Sequence, residues 1–587
     1  MLLPPGLGFL FARLPNLLWP PVVTYAISYF TAIPTSLRIV ACILSTPCYI
    51  AFEAYKSSRA HHHQLATRGA QDVPVWPGKW PGNLDILLQL VESWKCGYLG
   101  DVIDDAFEGI GATMRFSILG DDEIFTYNPQ NIKTILVTDF DGYEKGERMM
   151  IATQSVLGRG VFNVDGDMWK FHRGMTRMFF TKDRISDLNT LCHNSDSAIA
   201  LAKSRFRQGG EIDIQDLFSR VTLDTATSFL LGSSVNSLSA NLPSSDGTES
   251  LVDTSAPSPD SFSRAFASVQ RKVGARLWIG PDWPLAEMFR DVTIEDNAVI
   301  DKFVWPIIKS ALAMKEQNKP AKNDGTDDDE TLLSHLVSQT DDLQLIRDEI
   351  VNILIAGRDT TTSTLTFATY CLSRNPQAAI RLREEILGKL GPLSPPTYDD
   401  MKAMSYTRAV INETLRLFPP VPFNVRETTR DTTWPAEKSG EKPYFIKAKT
   451  AICFSVWFMH RSTELWGPDA MVFDPDRFID ERLGKYLTPN PHIFLPFNAG
   501  PRLCLGREFA YNQISFALIR FFQTFDPTTI ILKQPPSAQP PAAWKSAENV
   551  ARGKAKAYED IWPQSHFTLY VKGGLWVTMK ENQDVEN

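Results

Sequence analysis

The 587-residue chain lacks the charge, motifs and cysteine spacing that are typical of several common protein classes. Its net charge of -8, from 60 basic and 68 acidic residues, provides no electrostatic basis for binding nucleic acid. No GxGxxG motif follows a predicted strand, and no internal repeat is visible. Without CxxC spacing, a zinc site or a disulfide framework is not expected, and reduced cytosolic thiols are the simplest interpretation of the seven cysteines: Cys42, Cys48, Cys96, Cys192, Cys371, Cys453 and Cys504.

The first 55 residues are almost free of charge and predict a membrane anchor. They contain two apolar stretches, 14–33 and 39–52. The first is long enough to cross a bilayer core of about 30 Å, whereas the second is short and interrupted by Pro47. One spanning segment with a re-entrant segment and a two-helix hairpin both fit this pattern.

Residues 56–82 predict a basic flank and a proline-rich hinge ahead of a catalytic domain at 83–587. By the positive-inside rule the flank lies in the cytosol, because it carries Lys56, Arg59 and Arg68. A cleaved signal peptide fits less well, since a basic n-region and a small-residue cleavage site are missing. The prolines and glycines of 73–82 predict a stiff hinge, with an ordinary surface loop as the alternative.

The catalytic body is predicted to be mostly helical. Residues 112–127 alternate apolar and polar side chains around a turn at Gly120–Asp122, which predicts a β-hairpin. A final hairpin is predicted near Lys572–Gly574.

Three stretches are predicted to be flexible insertions. Residues 233–263 are rich in serine, aspartate and proline and poor in large apolar residues, and 315–330 carry lysine, asparagine and an acidic run; both have the composition of solvated loops. Residues 534–563 are proline-rich and then charged.

The loop that ends at Gly506 is the most informative part of the chain. Its residues suit a thiolate held beneath a haem iron: Phe497, Gly500, Arg502, Cys504 and Gly506. Apolar residues at spacings of three and four predict a helix directly after it, whose positive N-terminus would favour a thiolate: Ile514, Ala517, Leu518, Phe521 and Phe525. A cysteine taken alone is more often a small buried hydrophobe.

Residues 342–373 predict a long buried helix that an Arg-Asn-Pro sequence ends. Its middle contains Gly357, Asp359 and Thr360, which weaken helix propensity and therefore point to a functional site. The Thr360 hydroxyl can bond the carbonyl of Ala356, four residues back, and so open the helix to water. A kinked core helix with satisfied polar groups is the alternative.

A charged pair is predicted further along the chain. Glu413 and Arg416 are three residues apart, so on a helix they share a face and can pair. In a core such a pair must be fully hydrogen-bonded.

These motifs together resemble one family. The pattern FxxGxRxCxG around Cys504 resembles the haem-binding signature of the cytochrome P-450 superfamily. The family's A-G-x-D/E-T, ExxR and PERF motifs resemble 356–360, 413–416 and 473–478, in the expected order. The resemblance covers about 74–581. It implies a mainly α fold with a minor β region, the triangular prism of the family, preceded by the N-terminal anchor and oriented on the membrane by the hinge.

The resemblance also implies residue roles. Cys504 would ligate the iron of haem b, with the cofactor further held by Arg502, Phe497, Gly500 and Gly506. Thr360 would hydrogen-bond the bound dioxygen and Asp359 would help to supply protons. Arg477 would join Glu413 and Arg416 in a structural triad with no acid–base role.

The resemblance implies further contacts to the haem propionates from residues outside the cysteine loop. Trp169 and Arg173 have the WxxxR spacing of the family, which places both on one side of a helix. Arg426 matches another propionate-binding position, which with Arg502 would give three arginines for two carboxylates. His172 is either a further contact or an exposed side chain.

The implied reaction is insertion of one atom of O2 into a C–H bond. Electrons would come from NADPH through a separate NADPH-cytochrome P-450 reductase, with cytochrome b5 as an additional candidate, because the chain has no flavin domain. The expected location is the endoplasmic reticulum membrane, with the catalytic domain facing the cytosol. A haem-binding membrane protein without oxygenase activity and an isomerase or dehydratase of peroxides are alternatives, against which the Asp359–Thr360 pair speaks.

The substrate is expected to be apolar. The stretch 416–426, the Phe-Asn-Ala-Gly form of the loop and the long anchor look most like fungal, especially basidiomycete, membrane-bound hydroxylases of alkanes and fatty acids. A long-chain alkane or fatty acid or a polycyclic hydrocarbon is therefore expected, with a terpenoid or other secondary metabolite as the alternative. Four residues are predicted to line the pocket: Ile355, Ala356, Val421 and Phe423.

Overall fold

The structure, a computed structural model, describes residues 3–31, 33–180, 188–245, 259–317, 331–438 and 440–582. The predicted insertions at 233–263 and 315–330 lie partly outside these ranges. The α-helices are α1 Pro5–Tyr29, α2 Thr35–Arg68, α3 Leu84–Cys96, α4 Asp101–Ile110, α5 Pro129–Lys133, α6 Glu147–Leu157, α7 Gly166–Arg177, α8 Asn189–Arg207, α9 Ile214–Leu231, α10 Pro259–Ile279, α11 Ile294–Gln317, α12 Leu332–Gln339, α13 Leu343–Arg374, α14 Pro376–Leu390, α15 Tyr398–Ala403, α16 Ser405–Leu417, α17 Val456–Met459, α18 Thr463–Trp466, α19 Arg507–Thr524 and α20 Ala547–Ala551.

The strands are short and form a minor part of the fold. They are β1 Thr113–Ile118, β2 Asp121–Thr126, β3 Tyr143–Glu144, β4 Ile212–Asp213, β5 Phe423–Thr428, β6 Thr432–Trp434, β7 Tyr444–Ile446, β8 Ala451–Ser455, β9 Ile531–Leu532, β10 Pro563–Ser565, β11 Leu569–Val571 and β12 Trp576–Thr578. The mainly α fold with a minor β region is therefore confirmed.

Helix α13 runs through the centre of the catalytic body. It begins where the Asp342 carboxylate accepts hydrogen bonds from the backbone N–H groups of Gln344 and Leu345, and it ends before Pro376. Its first half packs in one apolar cluster and its last part, from Leu365, packs in another. The polar middle of α13 lies at the junction of the two clusters.

A five-stranded sheet has the strand order β1-β2-β8-β5-β3. The β1–β2 hairpin is the one predicted from the sequence, and its turn places Leu119 and Gly120 at φ 51° and 92°. Strand β2 runs parallel to β8, and β5 runs antiparallel to it. Alternate residues of these strands face the same cavity: Glu123, Phe125, Phe423, Val425, Ala451 and Cys453.

The N-terminal region forms a helical hairpin. Helices α1 and α2 run antiparallel, with the rings of Trp19 and Tyr49 4.9 Å apart and the Thr46 hydroxyl bonded to the Leu17 carbonyl at 3.0 Å. By length and composition, one helix of the described residues could cross a membrane, and it is α2. The spanning length was predicted in the first apolar stretch, 14–33, but the helix that contains it, α1, is interrupted by three prolines.

Helix α1 also contacts the catalytic body. A Cβ atom on Gly6 would lie 2.4 Å from the Cα atom of Met288, so the close approach at this point requires glycine. Arg13 lies 3.4 Å from Asp282 in the loop between α10 and α11. In the predicted hinge, the backbone of Val75 pairs with Arg115, and just before it Gln71 pairs with Tyr444.

Two predictions near the C-terminus differ from the structure. Residues 534–563 do not form a solvated insertion, since Trp544 and Ile561 are buried and Lys554 pairs with three carboxylates of α4. The hairpin predicted near Lys572–Gly574 lies earlier, between β10 and β11, because β12 pairs with β4 and β9 instead. The two glycines permit close packing: a Cβ on Gly574 would lie 2.1 Å from the Asp213 carboxylate.

Candidate active site

A cavity of about 470 Å³ lies between α13, the sheet and the cysteine loop. Most of its lining is apolar, and all four residues predicted to line the pocket do so. The structure also brings other predicted site residues to this cavity: Cys504, Phe497, Arg502, Gly506, Arg173 and Thr360. Four predicted residues lie beside it and do not line it: Trp169, Asp359, Arg426 and Gly500.

The loop around Cys504 is held by its own backbone. The Cys504 N–H donates to the Phe497 carbonyl at 3.0 Å, and the Phe497 ring packs against Tyr511 at 5.1 Å. The side chain opens onto the cavity. Burial raises the pKa of the Cys504 thiol, although the Gly506 N–H and Arg173 favour the thiolate. A metal cation bound at the sulfur would favour the thiolate further.

Gly500 allows the cysteine loop to pack closely against the backbone of Leu136. It has a φ of 64°, and a Cβ atom there would lie 1.9 Å from the carbonyl oxygen of Leu136. Any other residue would push the loop away from the 134–138 turn. The resemblance also implies that Gly500 helps to hold the cofactor. Of the two glycines, only Gly506 lines the cavity.

A cluster of cations surrounds a single carboxylate at one side of the cavity. Arg502 donates to Asp165 at 2.6 Å and stacks over Trp169 at 4.5 Å. Arg173 donates to the Leu503 carbonyl at 2.8 Å, which joins α7 to the cysteine loop. Burial and the neighbouring Arg502 lower the pKa of Arg426 to about 9. The cluster therefore carries more positive charge than Asp165 can neutralise.

Lys145 belongs to this cluster, and sequence reasoning missed it. Its amine donates to Asn424 at 3.2 Å, and its backbone N–H donates to Asp165 at 2.9 Å. Burial, with Arg426 and Arg502 nearby, lowers the pKa of Lys145 well below its usual value. A neutral or anionic partner in the cavity would relieve this repulsion. In the sequence, Lys145 is marked only by the glycine that follows it, and a Lys-Gly pair is too common to indicate a binding site.

Replacing Lys145 with methionine should speed loss of a bound haem by about tenfold: an anionic propionate beside the amine would favour its charged form, and the charge-assisted hydrogen bond then lost is worth roughly 1.5 kcal/mol. The measurement is the rate at which haem passes from the holoprotein to an excess of a haem-scavenging protein. Lys449→Met is the matched control, since Lys449 is exposed and pairs with Glu144 on the neighbouring strand. Equal rates for the two variants would contradict this role of Lys145.

Thr360 has the geometry expected from the sequence. Its hydroxyl donates to the Ala356 carbonyl at 2.7 Å and lines the cavity. Asp359 pairs with Arg358 at 2.9 Å on the flank of the helix. Burial raises the pKa of Asp359 in spite of that arginine, so its carboxyl group is suited to holding and releasing a proton.

Glu413, Arg416 and Arg477 form a buried network. Arg416 donates two hydrogen bonds to Glu413, at 2.7 and 2.8 Å, and further ones to the carbonyls of His460 and Ala470. Arg477 lies 3.5 Å from Glu413. All three residues are fully buried, and none lines the cavity. The network thus fixes the chain that precedes the cysteine loop.

His172 is not exposed, and it is not among the residues that line the cavity. It is buried and its Nδ1 contacts the Glu349 carboxylate of α13. The pair joins α7 to α13. The sequence predicts that His172 lies on a helix near Trp169 and Arg173. It does not predict which element packs against that helix.

The residues around the cavity fit haem b. Cys504 offers a sulfur ligand, and Phe497 and Gly506 border it. The surplus of cations at Arg173, Arg502 and Lys145 suits the two propionates, since carboxylates are what such a cluster lacks. When bound, haem supplies the activation of dioxygen.

Three features of this site are those of a haem-thiolate protein. They are the cysteine loop, the long helix whose Thr360 hydroxyl bonds the Ala356 carbonyl, and the cationic cluster. The comparisons with known proteins agree. A family model described as cytochrome P450 matches residues 80–550. The chain is 33% identical to the cytochrome P450 monooxygenase himC of Aspergillus japonicus, over 89% of this chain and 87% of that protein. It is 33% identical to cytochrome P450 52A3-A of Candida maltosa, over 76% of this chain and 83% of the relative.

The chain belongs to the cytochrome P450 family. It is a haem-dependent monooxygenase. The expectations of family, cofactor and enzyme class are therefore confirmed, and the alternative of a haem-binding protein without oxygenase activity is not supported.

Proposed function

We propose that this monooxygenase inserts one oxygen atom into a C–H bond of a long-chain or polycyclic apolar substrate, such as an alkane, a fatty acid or a polycyclic hydrocarbon. The observation that carries the proposal is the mostly apolar cavity that extends from Cys504 past Thr360 to the sheet. An apolar lining binds such substrates by burying their surface and excludes water from the reacting centre.

The proposed roles of the chain's residues follow from their positions. Cys504 holds the cofactor through its sulfur, and Arg173, Arg502 and Lys145, which line the cavity, orient it through its carboxylates; Arg426 lies beside the cavity and adds positive charge to this cluster. The Thr360 hydroxyl donates its proton to the Ala356 carbonyl. Its oxygen is therefore held in place as a hydrogen-bond acceptor at the cavity. Asp359 is paired with Arg358, and burial raises the pKa of its carboxyl group; when that pair opens, the carboxylate would take up a proton from water and deliver it to the cavity beside Thr360.

Replacing Thr360 with alanine should uncouple the reaction. NADPH consumption would continue, whereas product formed per NADPH would fall by about tenfold or more and peroxide would rise, because positioned proton transfer is lost. Thr360→Ser restores the hydroxyl and should recover coupling. Thr364→Ala is the control, since Thr364 lines the same cavity one turn later. Unchanged coupling in Thr360→Ala would contradict the assignment.

We also propose that residues 1–55 anchor the enzyme in the endoplasmic reticulum membrane, with the catalytic domain in the cytosol. Helix α2 is long and apolar enough to cross a membrane, and basic residues follow its apolar part. A separate NADPH-cytochrome P-450 reductase, with cytochrome b5 as an additional candidate, would supply the electrons.

The proposed function is tested with the reconstituted holoenzyme, the reductase, NADPH and a panel of alkanes, fatty acids and polycyclic hydrocarbons. We expect products that are heavier than the substrate by one oxygen atom, together with a change in the haem spectrum on substrate binding. If no member of the panel gains oxygen or shifts the spectrum, the proposed substrate class is wrong.

A further inference from the structure

The turn between β10 and β11 forms part of the cavity wall. Four consecutive residues of this region line the cavity: Ser565, His566, Phe567 and Thr568. The turn packs tightly on α10, because a Cβ atom on Gly274 would lie only 3.0 Å from the Cα and Cβ atoms of His566. His566 is therefore held at a fixed place on the wall, and the mechanism described above does not use it.

The hydrogen bonds of His566 determine its tautomer. Nδ1 accepts the backbone N–H of Phe567 at 2.9 Å and that of Thr568 at 3.3 Å, so it carries no proton. Burial, with the positive charges of Arg271 and Arg358 nearby, lowers the pKa of His566 to about 3. The ring is therefore neutral at physiological pH, and its single N–H is on Nε2.

The ring is also fixed in orientation. It stacks on Tyr570 with 4.7 Å between centroids and 18° between planes, and the Tyr570 hydroxyl donates to Gln564 at 3.1 Å. Within the part of the chain that the structure describes, no hydrogen-bond partner is recorded for Nε2 of His566. A fixed donor without a partner on an apolar wall costs free energy, which an acceptor on a ligand would recover.

We propose that Nε2 of His566 donates a hydrogen bond to an oxygen atom of the substrate and so sets which carbon is presented for oxidation. The inference rests on the proposed function and narrows its substrate class to apolar molecules that bear an oxygen acceptor, such as a carbonyl, hydroxyl or carboxyl group. Pure hydrocarbons leave this donor unpaired and bind more weakly.

The matched variant is His566→Asn. The asparagine Oδ1 occupies the place of Nδ1 and can accept the same backbone N–H groups, as side-chain amides do in turns. The variant lacks an N–H at the position of Nε2. It should therefore keep the turn and lose the donor.

Binding is measured with the wild-type and variant holoenzymes from the substrate-induced change in the haem spectrum. The probes are straight-chain alkanes, methyl ketones and carboxylates of matched chain lengths, and the rigid pair fluorene and fluorenone. We expect at least one ketone to bind the wild type about tenfold more tightly than its hydrocarbon, an advantage that His566→Asn abolishes while hydrocarbon affinity is unchanged.

Two results would overturn the proposal. One is a panel in which no ketone binds more tightly than its hydrocarbon. The other is an oxygen preference that persists in His566→Asn, including one confined to carboxylates, which would assign recognition to the neighbouring arginines. A ketone preference without any oxygen insertion would remove the proposed hydroxylase substrates and leave the role of His566 intact.

A second measurement does not depend on the variant's folding. Nitrogen NMR of the holoenzyme with isotope-labelled histidine should show, for the His566 ring, a neutral tautomer protonated at Nε2 at neutral pH. A proton on Nδ1, or a doubly protonated ring, would contradict the donor assignment.

Discussion

Replacing Cys504 with alanine is expected to abolish the red-shifted Soret band of the reduced carbon monoxide complex and all monooxygenase activity. The band is characteristic of haem held by a cysteine thiolate, the role that Cys504 would have. Alanine has no atom that can coordinate the iron. Because oxygen activation by the bound haem would also depend on this sulfur, activity should be lost together with the band.

Cys453→Ala provides the matched control for this experiment. Cys453 lies on β8 and lines the same cavity as Cys504, and burial raises the pKa of its thiol well above the usual value. The control variant should keep the red-shifted band and most of the activity. A band that survives in Cys504→Ala, or that disappears in Cys453→Ala, would contradict the assignment of the ligand.

Replacing Glu413 with glutamine is expected to lower the free energy of unfolding by roughly 3 to 5 kcal/mol, because two guanidinium groups then remain in a buried site without their shared carboxylate. Arg416 and Arg477 are both fully buried, and Arg416 keeps only carbonyl partners after the change. Denaturant unfolding of the holoenzyme measures the loss, and we expect haem to be released at a lower denaturant concentration.

Glu508→Gln is the control for the buried network. Glu508 pairs with Arg507 at 3.0 Å, and both side chains are nearly half exposed. An exposed pair of this kind contributes roughly 0 to 1 kcal/mol. If Glu413→Gln and Glu508→Gln unfold at the same denaturant concentration, the buried network does not stabilise the fold as described.

The elements that the sequence predicts well are those with a strong local pattern. Helix α13 begins and ends within a residue of its predicted bounds, because its apolar residues are continuous and a capping aspartate and a proline mark its ends. The Thr360 hydrogen bond follows from a spacing of four residues within that helix. The cysteine loop is recognised because several unusual residues occur at fixed spacing.

Residues whose role depends on distant neighbours could not be predicted in this way. Lys145 and His566 both lie in short connections, and only the fold brings them to the cavity. The position of His172 on α7 can be predicted, but its partner on α13, Glu349, cannot. The final hairpin was misplaced because Gly573 and Gly574 do form a turn after β11, but the strand that follows it, β12, pairs with β4 and β9.

The order within residues 534–563 was underestimated for a similar reason. Residues 534–563 are rich in proline and charge, yet Lys554 finds three carboxylates on α4 and Trp544 packs against Tyr98 and Trp562. Composition alone cannot reveal partners that lie more than 400 residues away in the sequence.

The most direct test of the monooxygenase account is the origin of the oxygen in the product. The holoenzyme, reductase, NADPH and an accepted substrate are incubated under heavy-isotope dioxygen in ordinary water, and the product is analysed by mass spectrometry. The account predicts that each turnover adds one heavy oxygen atom to the product and that Cys504→Ala adds none. Product oxygen derived from water, or product with two heavy atoms per turnover, would contradict it.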